Sequence, residues 1–278
     1  MNIKRILTGI IGFPIVLAFL VKANKYMVDI TMTIVAIISM YEYSKCAKNK
    51  GINVISWLGY FNCLLITIMH KLPVNLILVI IGIGYPLMIF ILFLHVIFSD
   101  MKITFQDIAF SLFGYLYIVG FIMFFTLIYG TEMFKYGLTG KIAIWYVLFA
   151  SWGTDTTAYF VGKYFGKHKF SKVSPNKTIE GCIGGALGAV IGAFLFTICI
   201  NKFLGTTVPY LFAGGVVLAL SIIGQLGDFS ASVVKRYFEV KDYSNLFPGH
   251  GGMLDRIDSI IFTAPFAYSI FIVCTLIS

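Results

Sequence analysis

Four polar side chains near the end of a long apolar run are the first residues whose types and spacing could do chemistry. Asp228 is followed at +4, +7 and +8 by Ser232, Lys235 and Arg236. On a helix all four would project from one face. A carboxylate, a hydroxyl and two cations on one stripe could hold a metal ion and a phosphate group side by side. A helix end whose cations reach up to a membrane surface would show the same spacing, so the pattern alone leaves both interpretations open.

The loop that follows adds a glycine-rich turn. It reads KDYSNLFPGHGGMLDRID over residues 241–258 and opens with Lys241. Gly251 and Gly252 follow His250, and residues without side chains let backbone N–H groups approach a phosphate chain closely. A further helix is expected to begin just after them, and helix N-termini bind anions. The turn therefore predicts a cradle for phosphate.

Two carboxylates and a cation follow this turn. Asp255 and Asp258 are three residues apart, so both should point to one side of the expected helix, with Arg256 next to Asp255. Carboxylate oxygens suit Mg²⁺, which proteins usually hold with one or two carboxylates plus substrate phosphates. Together with Asp228, these residues predict a site where metal ions and a phosphate chain meet.

A third polar segment lies upstream. Asp155 follows the apolar run 143–152. An ionised carboxylate at mid-membrane costs at least about 2.5–3.5 kcal/mol, so such a residue should face a polar cavity and have a partner. Solvation at the membrane surface is the alternative.

The same segment continues into a lysine-rich loop with a predicted helix start. Ser174 and Pro175 look like an N-cap followed by proline at the first helical position. Lys177 would then lie in the first turn, where the helix dipole disfavours a cation, and a bound anion would resolve that conflict. A lysine cluster attracted to anionic lipid is the alternative. Glu180 is predicted to be a first-turn partner of the dipole rather than a metal ligand.

The elements that position these residues must be membrane helices. The 278 residues are 59% hydrophobic and only 12% charged, about half the charge of a soluble domain, and the mean hydropathy is +0.92. The net charge is +9, and the charged residues lie mostly between apolar runs. This distribution indicates contact with anionic lipid headgroups and the positive-inside bias rather than binding of nucleic acid. The five cysteines are scattered without CxxC spacing, so neither a disulfide framework nor a thiolate metal site is indicated.

The hydropathy pattern predicts an all-α polytopic membrane protein with about nine transmembrane helices. The first and third are short and could be re-entrant or interfacial. An apolar run after Lys4 and Arg5 resembles a signal peptide, but no convincing cleavage site follows, so it is interpreted as a retained first helix. The predicted spans are 5–21, 27–45, 54–70, 74–98, 107–129, 142–162, 181–201, 209–231 and 258–277.

The charged and polar residues of the loops predict how the protein is oriented in the membrane and which part of the chain is catalytic. With the N-terminus in the cytoplasm, fifteen of the 21 Lys and Arg residues fall on the cytoplasmic side. Residues 1–140 are interpreted as N-terminal transmembrane helices with little visible chemistry. Residues 141–278 are interpreted as the catalytic transmembrane region, with two cytoplasmic polar loops.

Residues 232–258 carry a family resemblance. The pattern SxVKRxxxxKDxSxxFPxHGGMxDRID resembles, over all 27 residues, the signature of the phosphatidate cytidylyltransferase (CDP-diglyceride synthase) family. The segments 155–167 and 174–181 and the Gly227–Asp228 pair are similar to that family as well. Thr157 is a mild departure, because the family usually has glycine or another small residue there, and a slight change of packing beside Asp155 is expected from it.

The resemblance implies an activity, cofactors, partners and a location. Members transfer CMP from CTP to phosphatidate, giving CDP-diacylglycerol and pyrophosphate for phospholipid biosynthesis, with one or two Mg²⁺ ions; a monovalent cation is left open. The implied setting is the bacterial inner membrane, as a multi-pass homodimer in the lipid bilayer with its active site facing the cytoplasm. The phosphatidate phosphate is itself the nucleophile, so charge neutralisation and positioning are what the reaction needs.

The site residues are assigned accordingly. The expected metal ligands are Asp228, Asp255 and Asp258, and the cations that neutralise the triphosphate are Lys235, Arg236 and Arg256. The expected substrate-binding residues are Asp155, Ser174, Lys177, Thr178, Ser232, Lys241, His250, Gly251 and Gly252.

Other interpretations stay open. A substrate-coupled carrier would also place carboxylates and cations in the membrane, but no convincing internal repeat is seen and the polar residues cluster in one half. A sister enzyme that uses CTP with another lipid is nearer: a polyprenol kinase would release CDP, and an archaeal-lipid cytidylyltransferase would release pyrophosphate. A purely structural scaffold would not need such a concentration of charged residues in its loops.

Overall fold

The computed structural model describes residues 3–72, 74–100, 102–171 and 173–277. Within these ranges the regular secondary structure is helical, apart from two isolated bridges, Lys169 with Thr178 and Phe247 with Gly251. The α-helices are α1 Ile3–Lys22, α2 Lys25–Ala47, α3 Ser56–Leu65, α4 Val74–Phe98, α5 Phe105–Gly114, α6 Phe121–Gly130, α7 Gly140–Leu148, α8 Thr154–Phe165, α9 Ile179–Phe203, α10 Tyr210–Tyr237 and α11 Leu254–Leu276.

Two π-helical segments join short helices into longer ones. Tyr115–Gly120 connects α5 to α6, and Phe149–Gly153 connects α7 to α8. A 3-10 segment, Ile66–Lys71, likewise extends α3. As a result, each of the nine predicted spans falls on helical structure within the described part of the chain.

Among the described residues, four helical stretches are long and apolar enough to cross a membrane: Phe105–Gly130, Ile179–Phe203, Tyr210–Tyr237 and Leu254–Leu276. Two shorter apolar stretches, Ser56–Ile68 and Gly82–Phe98, also occur among the described residues. The prediction of an all-α membrane protein is confirmed. The count of nine spans and the cytoplasmic N-terminus stay predictions.

The chain packs into two compact units. The first unit comprises Met1–Thr126 and Phe238–Asp255, and the second comprises Leu127–Tyr237 and Arg256–Ser278. Packing therefore groups the loop before α11 with the N-terminal helices. The division at residue 140, into N-terminal helices with little visible chemistry and a C-terminal catalytic region, remains an interpretation of function.

In the first unit, α2 is a central element. Tyr43 is fully buried; its hydroxyl donates to the carbonyl of Phe110 at 2.9 Å, and its ring meets Phe238 edge-on at 5.5 Å. Asp107 forms a capping box with Thr104 at the start of α5 and also accepts the N–H of Asn53 at 2.6 Å. The segment between α2 and α3 is thereby fastened to α5.

In the second unit, α8 and α9 approach closely because small residues line the contact. A Cβ atom at Gly181 would lie 2.9 Å from the Ala158 carbonyl, and one at Gly188 would lie 2.5 Å from Thr157. Small residues let membrane helices pack backbone to backbone. Thr157, the departure from the family pattern, fits against Gly188, and its hydroxyl lies 3.1 Å from the carbonyl of Gly185.

Candidate active site

Helix α10 carries the predicted polar stripe. Asp228, Ser232 and Lys235 all lie on this single helix, as expected from their spacing. The ammonium group of Lys235 lies 3.9 Å from the carboxylate of Asp258, and both side chains are only 10% exposed. Arg236, on the same helix, is exposed. The second unit thus brings one predicted cation to one predicted carboxylate.

Asp228 forms an ion pair with Lys177, whose ammonium group donates to the carboxylate. The side chains are 22% and 26% exposed, so the pair is mostly shielded from solvent. Lys177 also lies over the ring of Phe229, 4.6 Å from its centroid, and Phe229 stacks on Phe170 with centroids 4.6 Å apart. An aromatic pair therefore supports the lysine that reaches Asp228.

The loop that delivers Lys177 differs from its prediction. Helix α9 begins at Ile179, and its N-cap is Thr178, whose hydroxyl accepts the N–H of Gly181 at 3.1 Å. Ser174 instead opens a turn, in which its carbonyl accepts the N–H of Lys177 at 3.1 Å. The predicted N-cap at Ser174 is wrong. Lys177 precedes the helix, and its charge is met by Asp228 rather than conflicting with the helix dipole.

The local reason is the bridge between Lys169 and Thr178. Beside this bridge, the N–H of Phe170 is bonded to the carbonyl of Lys177 at 3.0 Å, so Lys177 and Thr178 are paired with the preceding strand-like segment and the helix begins only after them. Glu180 lies in the first turn of α9, as predicted, and its carboxylate contacts the ring of His168 at 2.6 Å.

Asp155, at the start of α8, joins the group around Asp228. Its carboxylate is 3.4 Å from the hydroxyl of Ser259, which donates to it. It also interacts electrostatically with Asp228, Lys177 and Arg256. One carboxylate and two cations of the second unit therefore lie within electrostatic range of Asp155. The sequence placed Asp155 among substrate-binding residues and did not reveal this closeness to Asp228.

The donor chemistry of this group fits Mg²⁺. Across the described ranges, no three His, Cys, Asp or Glu side chains converge as a metal site. Asp155 and Asp228 nevertheless offer hard oxygen donors within interaction range of each other. Mg²⁺ is commonly held by one or two carboxylates and completed by water and substrate phosphates. A site that shares its ion with a phosphate chain needs no third protein carboxylate.

The loop before α11, in the first unit, is organised by carboxylates. One oxygen of Asp255 accepts the N–H of Tyr243 at 2.8 Å and that of Gly252 at 3.0 Å. The N–H of His250 donates to the carbonyl of Phe247 at 2.9 Å. Gly251 has a φ of 82°, which glycine adopts without strain.

This arrangement departs from the predicted phosphate cradle. The N–H groups of Met253 and Leu254, where α11 begins, donate to Glu42 at 2.9 Å each. The N–H of Gly252 likewise donates to Asp255. Backbone N–H groups that were expected to bind a substrate phosphate are therefore bonded to carboxylates of the protein. Lys241 is exposed at the start of the loop. A phosphate-binding role for this turn stays a prediction.

Glu42 is the residue that sequence reasoning missed. It lies on α2, in the half interpreted as poor in chemistry, and it is 2% exposed. Its three partners stand 202, 211 and 212 positions further along the chain. No spacing rule connects residues so far apart, so only the fold could reveal the contact.

The first unit also contains an apolar cavity of about 300 Å³. Its lining includes Leu58 and Phe61 of α3, Met88 of α4 and Val119 of the π-helical segment. None of its described lining residues is one of the predicted site residues. The predicted polar site is therefore not this apolar cavity.

Comparisons with known proteins agree with the motif. A model of the cytidylyltransferase family matches residues 3–274. The chain is 34% identical over 277 residues to a phosphatidate cytidylyltransferase of Bacillus subtilis (strain 168), covering 95% of this chain and 96% of the relative. It is 40% identical over 180 residues to that of Staphylococcus haemolyticus (strain JCSC1435) and over 185 residues to that of Staphylococcus aureus (strain COL), with 64% of each chain covered. The predicted resemblance is confirmed, and the chain belongs to the cytidylyltransferase family.

Proposed function

We propose that this membrane protein is a CTP:phosphatidate cytidylyltransferase, which makes CDP-diacylglycerol and pyrophosphate for phospholipid biosynthesis. The observation that carries the proposal is the group of Asp155, Lys177 and Asp228 in the second unit. These residues come from separate motif segments. They belong to a chain 34% identical, over nearly its whole length, to a relative with that name.

The reaction explains why no protein nucleophile is needed. An oxygen of the phosphatidate phosphate attacks the α-phosphorus of CTP, a new P–O bond forms, and the bond from the α-phosphorus to the bridging oxygen breaks. Pyrophosphate leaves with that electron pair. Two polyanions must therefore meet, and catalysis of this type relies on positioning and electrostatic stabilisation.

The carboxylates have the role of holding one or two Mg²⁺ ions, which would neutralise phosphate charge when bound. Asp228 and Asp258 are proposed ligands, and Asp155 is added because of its closeness to Asp228. Asp255 remains a proposed ligand from the motif, although one of its oxygens already accepts two backbone N–H groups.

The cations have the role of binding phosphate. Lys177 can exchange its contact with Asp228 for a substrate phosphate, and Lys235 can do the same from Asp258. Arg256 is exposed and within electrostatic range of Asp155, so it can neutralise charge at the same place. Arg236, Ser232, Lys241 and the 250–252 turn complete the proposed substrate contacts.

The proposed setting is a bacterial inner membrane. Nine spans, a cytoplasmic N-terminus and cytoplasmic polar loops would put the site on the side where CTP is available. The distribution of Lys and Arg supports this orientation. A homodimer is proposed from the family resemblance alone.

The test is pyrophosphate release by the purified, detergent-solubilised protein given CTP, phosphatidate and Mg²⁺, with each omitted in turn. We expect release to require all three, with CDP-diacylglycerol detected by mass spectrometry. Glu132→Gln, a change at an exposed carboxylate outside the motifs, is a control variant that should keep full activity. CDP in place of pyrophosphate would overturn the proposal in favour of a lipid kinase, and no turnover by folded protein would favour a carrier.

A further inference from the structure

Glu42 binds both ends of the motif-bearing loop. Its carboxylate accepts the hydroxyl of Ser244 at 2.6 Å, near the start of the loop. It also accepts the N–H groups of Met253 and Leu254 at 2.9 Å each, where the loop enters α11. One side chain from α2 thus closes a loop of about ten residues at its base.

The burial of Glu42 makes these contacts strong. At 2% exposure the carboxylate has almost no water to solvate it, and a buried charge is tolerated only when hydrogen bonds replace that water. Bonds to an ionised acceptor are stronger than neutral ones. The N-terminal end of a helix also favours a negative charge, so Glu42 takes the place of an N-cap for α11.

The contact also explains a glycine of the motif. A Cβ atom at position 252 would lie 2.6 Å from both carboxylate oxygens of Glu42. Any side chain there would push the carboxylate away. Gly252 therefore allows the loop to approach Glu42 this closely, and the N–H of the same glycine is held by Asp255 at 3.0 Å.

Asp255 and Glu42 act on the loop as a pair. Asp255 binds Tyr243 and Gly252, while Glu42 binds the neighbouring Ser244 and Met253. The thiol of Cys46, one helical turn after Glu42, adds a contact to the carbonyl of Tyr243 at 3.3 Å. The position of the Asp255 carboxylate therefore depends on α2.

We propose that Glu42 is a positioning residue for the reaction: it holds the 243–254 loop and the start of α11 in the geometry that nucleotide and metal binding require. This inference rests on the proposed function. Glu42 needs no contact with substrate, because it acts through the loop and through Asp255.

Two matched variants test the role. Glu42→Gln keeps the shape of the side chain but removes the charge and replaces one acceptor oxygen with a donor. Asp107→Asn is the control, because Asp107 is also a buried carboxylate of the first unit, 3% exposed, but it caps the start of α5 instead of that of α11. Both variants should lower the unfolding temperature.

The two variants should differ in kcat, in the Mg²⁺ requirement and in the amide exchange of the loop. For Glu42→Gln we expect kcat to fall about tenfold or more, with a higher Mg²⁺ requirement, because a charge-assisted contact is lost. Amide hydrogen exchange of Met253 and Leu254 should become faster. Asp107→Asn should leave kcat, the Mg²⁺ requirement and exchange in the loop at wild-type values, and Glu42→Asp should recover part of the activity.

The outcomes separate this inference from the proposed function. Suppose that the wild type turns over as proposed, and that Glu42→Gln has the same kcat and the same amide exchange in the loop as the wild type. That result would overturn the positioning role and leave the proposed function standing. A higher kcat in that variant would also overturn the positioning role, since the contact would then be inhibitory. If the wild type makes no CDP-diacylglycerol, the proposed function fails, and the exchange of Met253 and Leu254 still decides whether Glu42 holds the loop.

Discussion

Replacing Asp228 with asparagine removes the negative charge of the ion pair with Lys177 and changes little else in size. The pair lies in the second unit, with 22% of one side chain and 26% of the other exposed. At an effective dielectric constant of about 20, two unit charges about 4 Å apart attract by about 4 kcal/mol. Removing one partner of a fully buried pair costs about 3–5 kcal/mol.

Because about a quarter of each side chain reaches solvent, we expect a smaller loss, about 1–3 kcal/mol of unfolding free energy. For a chain of this size that corresponds to a fall in unfolding temperature of about 2–10 °C. The loss of activity should be larger. Removing a group that stabilises charge in a transition state costs about 10²–10³-fold in kcat.

A double variant separates the two effects. In Asp228→Asn with Lys177→Met, both members of the ion pair lose their charge, so the unfolding temperature should recover relative to Asp228→Asn alone. Activity should stay low, because both the carboxylate and the cation are needed for phosphate chemistry. Activity is measured by pyrophosphate release and stability by thermal unfolding of the same detergent preparation.

Two results would refute this reasoning. Substantial Mg²⁺-dependent activity in Asp228→Asn would remove Asp228 from the catalytic machinery. Recovery of activity together with stability in the double variant would mean that the ion pair is structural only.

The remaining predictions concern packing, support of the cation and the metal. Gly181→Ala should destabilise the protein by about 1–3 kcal/mol, because the new methyl group would press on the Ala158 carbonyl, whereas Gly215→Ala on α10 meets open space and should not; equal unfolding temperatures would contradict this. Phe229→Leu should raise KM more than it lowers kcat, because the ring supports Lys177, a proposed phosphate-binding residue, and is not itself a proposed metal ligand; an unchanged KM for both substrates would speak against that support. Removal of Mg²⁺ with EDTA should abolish pyrophosphate release but leave the unfolding temperature nearly unchanged; activity that persists in EDTA would exclude the proposed metal role.

Much of the fold could be predicted from local sequence. Membrane helices reveal themselves by runs of apolar residues, because backbone groups in lipid must be satisfied within the helix and side chains must be soluble in hydrocarbon. The placement of Asp228, Ser232 and Lys235 on one helix followed from periodicity in the same way. The family resemblance followed from the motif at residues 232–258, which needs no knowledge of the fold.

What only the tertiary structure decided depends on residues far apart in sequence. Ser174 satisfied the local rule for a helix start, yet the bridge from Lys169 to Thr178 moved the start of α9 to Ile179. The glycine turn satisfied the local rule for binding phosphate, yet Glu42 reached it from 211 residues away. A buried carboxylate needs donors and a helix start needs an acceptor, but the sequence does not say which acidic residue will meet which N–H group. That choice is made only when the chain packs.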